Sequence, residues 1–129
     1  MPGDLVHVEL PAKDGDRARK FYSSLLGWKF GESQMPDMDY QMTKNSKPIV
    51  AVYTAPDTKG PIVYFAVDDI DRAIATARTM GGQAQDKTPI PGQGWFASCV
   101  DTEGNPISLF QEDHSVTMAE GQQAGLTGN

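Results

Sequence analysis

The chain has 129 residues, enough for one domain with a real core and too few for two independent ones. Its formal charge of −6 argues against nucleic acid and anionic membrane surfaces as partners. No apolar run approaches the roughly 20 residues of a membrane span, the opening Met-Pro-Gly-Asp lacks the basic and apolar regions of a signal peptide, and the single Cys99 cannot form an internal disulfide, so a cytoplasmic protein is expected.

The first predicted element is a strand over Leu5-Val-His-Val-Glu-Leu10. Strand side chains alternate, which puts Leu5, His7 and Glu9 on one face and Val6, Val8 and Leu10 on the other. Asp14 or Asp16 then caps a helix, its carboxylate accepting from free backbone N–H groups. Within that helix Ala18, Phe21, Tyr22, Leu25 and Leu26 form one apolar stripe at helical spacing. Gly27 is placed to end it in a left-handed conformation. Shorter extended pieces follow at Trp28 to Phe30, Tyr40 to Thr43 and Ile49 to Thr54, separated by turn-rich stretches. Ala55 to Pro61 reads as a linker.

A second strand–helix pair comes next, Ile62-Val-Tyr-Phe-Ala-Val67 and then a helix with Ile70, Ala73, Ile74 and Ala77 on its stripe, stopped at Gly81-Gly82. Gln83 to Gln85, Gly94 to Val100 and Pro106 to Gln111 supply its remaining strands. The two halves repeat: Asp14, Asp16, Arg17, Ala18 and Gly27 return as Asp69, Asp71, Arg72, Ala73 and Gly82 at a shift of 55. Lys47-Pro-Ile and Asn105-Pro-Ile return at a shift of 58. Two copies of one supersecondary unit mean a pseudo-symmetric domain, not a solenoid. The domain is expected to span residues 1–112, with unit one at about 5–54, unit two at about 61–112, and a flexible tail at 113–129 rich in Gly, Gln, Thr and Ser.

Two β-α-β-β-β units, with Arg19-Lys-Phe-Tyr22 and Leu26-Gly-Trp28 in the first, resemble the vicinal oxygen chelate superfamily. It includes glyoxalase I, bleomycin-resistance proteins, fosfomycin-resistance enzymes and extradiol dioxygenases. Asp101-Thr-Glu-Gly-Asn-Pro106 is similar to the turn before that family's last strand, with Thr102 where Pro is usual. The resemblance covers roughly residues 5–112, and within the family the chain looks most like the small glyoxalase-like proteins. It implies an α+β fold in which two βαβββ repeats form a curved, half-open mixed sheet with helices outside. One fold hosts many chemistries, so function rests on the site residues.

The resemblance also implies where ligands would sit: on the first and last strands of each unit, facing a shared cup. The first-strand position of unit one is His7, fourteen residues before Phe21. Its counterpart in unit two is Ile62, which has no donor atom. The last-strand position of unit two falls on Ser108, and that of unit one on Val50 or Tyr53, depending on the register. Of the family's metal-ligand positions only His7 is retained, whereas a metal enzyme typically needs about three protein ligands and an open position. No metal cofactor is therefore expected.

His7 beside Glu9 is compatible with a structural pair, a ligand contact, or an acid–base couple in which the carboxylate favours the protonated imidazole. Alternation places Tyr64 with Ile62 and Phe110 with Ser108, and either Trp95 or Phe96 must face inward. These aromatics are compatible with core packing and with a negatively charged cup for an organic ligand. Cys99 has no basic neighbour in sequence to lower its pKa, which fits an inert buried thiol better than a nucleophile. The expected function is binding of a small organic molecule in the cup by His7, Glu9, Tyr64, Trp95, Ser108 and Phe110, without a metal. The alternative is a lyase or isomerase of the glyoxalase type with a divalent metal on His7 and Glu9. Sheet edges left open by four-stranded units predict a homodimer.

Overall fold

Strand β1 (Leu5–Ala12) opens the chain, and helix α1 (Gly15–Leu26), β2 (Tyr40–Met42) and β3 (Ile49–Thr54) follow it. Next come β4 (Ile62–Ala66), α2 (Ile70–Thr79), β5 (Gln83–Ala84), β6 (Thr88–Ile90), β7 (Gly94–Val100) and β8 (Pro106–Glu112). The computed structural model describes residues 2–33, 37–58 and 60–117. Two compact units are distinguished, Val6–Val63 and the combination of Met1–Leu5 with Tyr64–Asn129. Each carries one helix and several strands, in keeping with the expected α+β fold with two helices.

In the first unit the strand order is β2-β3-β1. β1 and β3 run parallel, with His7 beside Ile49, Glu9 beside Ala51 and Pro11 beside Tyr53. β2 is antiparallel to β3 and sets Tyr40 against Tyr53 and Met42 against Ala51. The expected strand at Trp28 to Phe30 is reduced to one bridge between Phe30 and Thr43. Lys29 N–H donates instead to the Asn45 side chain at 2.8 Å, and the Trp28 side chain stacks on the Tyr22 ring at 5.4 Å.

Helix α1 is capped as the sequence requires. The Asp14 carboxylate accepts from Arg17 N–H, and Gly27 closes the helix at φ 74°. The apolar stripe does not pack as expected, because Phe21, Leu25 and Leu26 are more than half exposed and the buried residues are Gly15 and Arg19. The guanidinium explains the difference. Arg19 Nη1 donates to the Val52 carbonyl at 2.9 Å, and Nη2 donates to both carboxylate oxygens of Asp39 at 2.8 and 3.0 Å. The same Asp39 accepts from the Thr54 hydroxyl at 2.6 Å, and Thr54 Oγ1 in turn accepts from Gly15 N–H at 3.0 Å. The Thr54 hydrogen bond, and then Arg19, hold the Asp39 carboxyl below its ordinary pKa. Helix and sheet therefore meet through a satisfied polar network that fixes the helix start.

The second unit has the order β4-β8-β7-β5, with β6 on β7. Asp69 caps α2 by accepting from Arg72 N–H. Here too the first helical N–H is satisfied from the last strand, as Ile70 N–H donates to Gln111 Oε1 at 2.8 Å. Ile70 and Ile74 pack with Ala97 in the core, against partly buried Val67, Ala84, Trp95 and Leu109. β6 lies where a loop was expected. Pro89, which has no N–H to donate, sits in this short outer strand paired only to β7, where that donor is not missed.

Residues 113–117 also depart from the expected tail, and 118–129 lie outside the described residues. Asp113 N–H donates to the Gln93 carbonyl, Gly92 N–H donates to the Val116 carbonyl, and the Val116 side chain is buried. His114 reaches the Gly92 carbonyl with Nδ1 at 2.9 Å and the Glu112 carboxylate with Nε2 at 2.6 Å. Two acceptors on one ring favour the imidazolium and push its pKa up, the Gly92 carbonyl most.

The crowding at Gly15 generates a stability test. A Cβ there would meet the Asp39 carboxylate, Arg19 Nη1 and Thr54 Oγ1 at or below 2.8 Å. Alanine normally favours a helix over glycine. Gly15→Ala is nevertheless expected to destabilise the fold by about 1–3 kcal/mol, the typical range for overpacking, measured as a lowered midpoint in urea unfolding.

Candidate functional site

Alternation along β1 and its parallel register with β3 place His7, Glu9, Ala51 and Tyr53 on one face of the first unit's sheet. The antiparallel pairing of β2 adds Tyr40 and Met42 to that face. Tyr53 therefore belongs with His7 and Glu9, and Val50, one residue out of phase, faces the other way. This decides between the two residues left open by the sequence.

The face is organised by a residue that sequence reasoning missed. Tyr40 Oη donates to Glu9 Oε2 at 2.7 Å and lies 3.0 Å from His7 Nε2. A phenol has one proton, and here it goes to the carboxylate. His7 Nε2 must then carry its own proton and donate to the phenol oxygen. Burial lowers the imidazole pKa from 6.5 to about 4, so His7 is neutral near pH 7. This corrects the expectation that Glu9 would favour a protonated His7: a hydroxyl stands between them, and desolvation penalises the cation.

Tyr40 sits on β2, yet its partners sit on β1, across β3. Its ring clusters with Ala51 and Tyr53, both buried, and lies 5.4 Å from the Tyr53 ring. Ala51, beside both Glu9 and Met42, presents only a methyl group and leaves room for the phenol to cross. Burial, and then the Glu9 charge, push the Tyr53 hydroxyl pKa up. No local sequence signal pairs residue 40 with residues 7 and 9, because the link requires the strand order β2-β3-β1.

The other four candidates fall in the second unit. Ser108 is buried opposite Ser98, and Phe110 stands opposite Phe96. The Tyr64 ring lies 6.4 Å from that of Phe96. Tyr64, Phe96, Ser108 and Phe110 thus share a face. Trp95 does not join them, because alternation turns it to the helix-covered side, where it packs against the core of Ile70, Ile74 and Ala97. Lys87 Nζ sits 4.4 Å from the centroid of its ring. Phe96 occupies the place the sequence reading gave to Trp95. Cys99, on the Trp95 side of β7, is buried, and burial raises its thiol pKa.

A metal of the kind the fold resemblance implies would have to use His7 and Glu9. His7 Nε2 and Glu9 Oε2 both meet the Tyr40 hydroxyl, and among the described residues no group of three or more His, Cys, Asp or Glu side chains converges. Two donors already bridged by a hydroxyl do not fit a first-row metal centre. Among the described residues no helix is long and apolar enough to cross a membrane.

The chain belongs to the glyoxalase/bleomycin-resistance/dioxygenase superfamily, the vicinal oxygen chelate proteins. Residues 4–44 match the family profile described as bleomycin resistance protein-like N-terminal. A glyoxylase-like domain-containing protein of Didymella fabae is 31% identical over 120 residues, 84% of this chain and 94% of that protein. A Mycobacterium tuberculosis protein, CFP32, whose name assigns it provisionally to the glyoxylases, is 30% identical over 119 residues. The match takes in 84% of this chain and 46% of CFP32, so the chain spans about half of that relative's length.

Among solved structures, methylmalonyl-CoA epimerase from Mycobacterium tuberculosis superposes with a TM-score of 0.63 at 19% identity, covering 86% of this chain and 88% of that one. A glyoxalase/bleomycin resistance protein/dioxygenase superfamily member from Vibrio splendidus gives 0.67 at 14% identity, covering 85% and 99%. At these identities the likeness shows the fold alone.

The His7 environment generates a pH prediction. A histidine pKa lowered on folding means that the unfolded chain binds more protons between pH 6.5 and about 4. Stability from this group is full above pH 6.5, falls as the pH drops through that window and levels off near 4. Nitrogen-15 NMR of the imidazole should show a neutral ring protonated on Nε2 at pH 7 and a titration midpoint near 4. A midpoint above 6 would contradict the assignment.

Proposed function

We propose that the protein binds a small organic molecule without a metal, on the sheet face that carries His7, Tyr40 and Glu9. The observation that carries this reading is the shared Tyr40 hydroxyl, which ties together the two side chains a metal would need. Such a face offers a neutral imidazole, a phenol and a carboxylate in one row, beside the rings of Tyr40 and Tyr53. Those groups suit a ligand with an aromatic or apolar body and a hydrogen-bonding hydroxyl or amine. Tyr64, Ser108 and Phe110 remain proposed ligand contacts, whereas Trp95 is better explained by its packing. The exposed Phe21, Leu25 and Leu26 ridge on α1 supports the proposal of a homodimer, since monomers rarely leave large apolar patches uncovered. A cytoplasmic setting remains the proposal for the environment.

A second reading draws on the glyoxylase names of the relatives. In it the protein is a lyase or isomerase of the glyoxalase type with a divalent metal on His7 and Glu9. The donor geometry favours the first reading, because a metal would have to displace the Tyr40 hydrogen bonds.

Metal analysis of the purified, untagged protein, followed by melting curves with Ni²⁺, Zn²⁺, Mn²⁺ and Fe²⁺, separates the two. The expected result is no stoichiometric metal and no shift that depends on His7. A small phenol or amine from a fragment screen, present at 100 times its dissociation constant, should stabilise the fold by about 2.7 kcal/mol. Tyr40→Phe and His7→Ala should each weaken it at least tenfold. A stoichiometric metal lost in His7→Ala would put the enzyme reading first.

A further inference from the structure

On the helix side of the second unit, α2 packs on β5, β7 and β8. Beside it opens a cavity of about 610 Å³ lined mainly by Phe65, Val67, Ala73, Ala77, Ile107 and Leu109. That volume lies within the range of small-molecule sites, roughly 300–1,000 Å³. Every residue lining it belongs to the second unit. Ile107 and Leu109 alternate with Ser108 and Phe110 along β8, so the cavity is on the opposite face from those two residues.

Its rim is not neutral. Asp68, Asp69 and Asp101 stand against a single guanidinium, Arg72. Two of these carboxylates are held as acceptors: Asp69 takes Arg72 N–H, and Asp101 takes Glu103 N–H, Asn105 N–H and the Asn105 side-chain amide. The chain's formal charge of −6 adds to the same sign.

We infer that this cavity is a second binding site, for a small apolar molecule with a single cationic head, its body against Phe65, Ile107 and Leu109 and its charge at the aspartate rim. The apolar lining supplies the driving force through surface removed from water. The excess of carboxylates selects the sign of the head.

Decyltrimethylammonium, decanol and decanoate share one alkyl length and differ in head charge. Titration calorimetry on the full chain, below the micellar range, should rank them cation, neutral, anion, with at least tenfold between first and last. Thr76 is exposed and lines the cavity, so Thr76→Trp should fill it without unfolding the protein and weaken cation binding at least tenfold. Ala73→Leu is a milder filling variant should the indole disturb α2, and near-ultraviolet circular dichroism checks both folds. Asp68→Asn should narrow the gap between cation and anion several-fold. Absence of saturable binding, a preference for decanoate, or binding unchanged in both filling variants would overturn the assignment. So would sedimentation showing that Thr76→Trp splits a dimer while no probe binds, because the cavity would then be a self-association surface.

Discussion

The first unit's candidate site depends on where one phenolic proton goes. Tyr40 gives it to Glu9, and that donation leaves the phenol oxygen as an acceptor for His7. The tautomer of the imidazole follows from this, and burial removes its charge. A His–carboxylate pair in direct contact would act as an ion pair or a metal clamp. With a hydroxyl inserted, the same two residues become a neutral donor and a carboxylate acceptor joined into one hydrogen-bonded row. Low polarity strengthens such a row and makes any break in it costly. Tyr40 is therefore as much a part of the site as the two residues it joins.

The row can form because the scaffold beneath it is fixed by a different polar network. Arg19 binds a backbone carbonyl of β3 and the carboxylate just before β2. Asp39 is thereby held one residue from Tyr40, and Thr54 ties the same carboxylate to the start of α1. A buried guanidinium without its partner would carry a penalty of several kcal/mol, so the chain entering β2 has little freedom to move. The polar contact that replaces an apolar helix stripe thus positions the residue on which the site depends.

Much of the fold was legible because it rests on local rules. Asp14 and Asp69 announce helix starts, Gly27 and Gly81 helix ends, and the Ile49–Thr54 and Gly94–Val100 strands fall within the bounds their patterns predict. The errors share a cause. Phe21, Leu25 and Leu26 have helical spacing, but spacing does not say whether Arg19 will take the buried side. Trp95 and Phe96 alternate, but the phase is set by which of them meets Ile70 and Ile74 on a helix two strands earlier in the chain. β6 was hidden by its proline, since a strand paired on one side only keeps few sequence marks. Of the site, His7 and Glu9 were readable from one strand, whereas Tyr40 needed the strand order.

The two copies of the repeat have diverged unequally, and this inequality is more informative than the repeat. In the first unit the face opposite the helix carries His7, Glu9, Tyr40 and Tyr53, a titratable and hydrogen-bonded set. In the second, the corresponding face carries Tyr64, Phe96, Ser98, Ser108 and Phe110, a set of aromatic rings and hydroxyls. Among the described residues no group of three or more His, Cys, Asp or Glu side chains converges in either copy. The first unit's face thus carries titratable and hydrogen-bonding groups, and the second unit's matching face carries aromatic rings and hydroxyls, its carboxylates Asp68, Asp69 and Asp101 lying on the helix side.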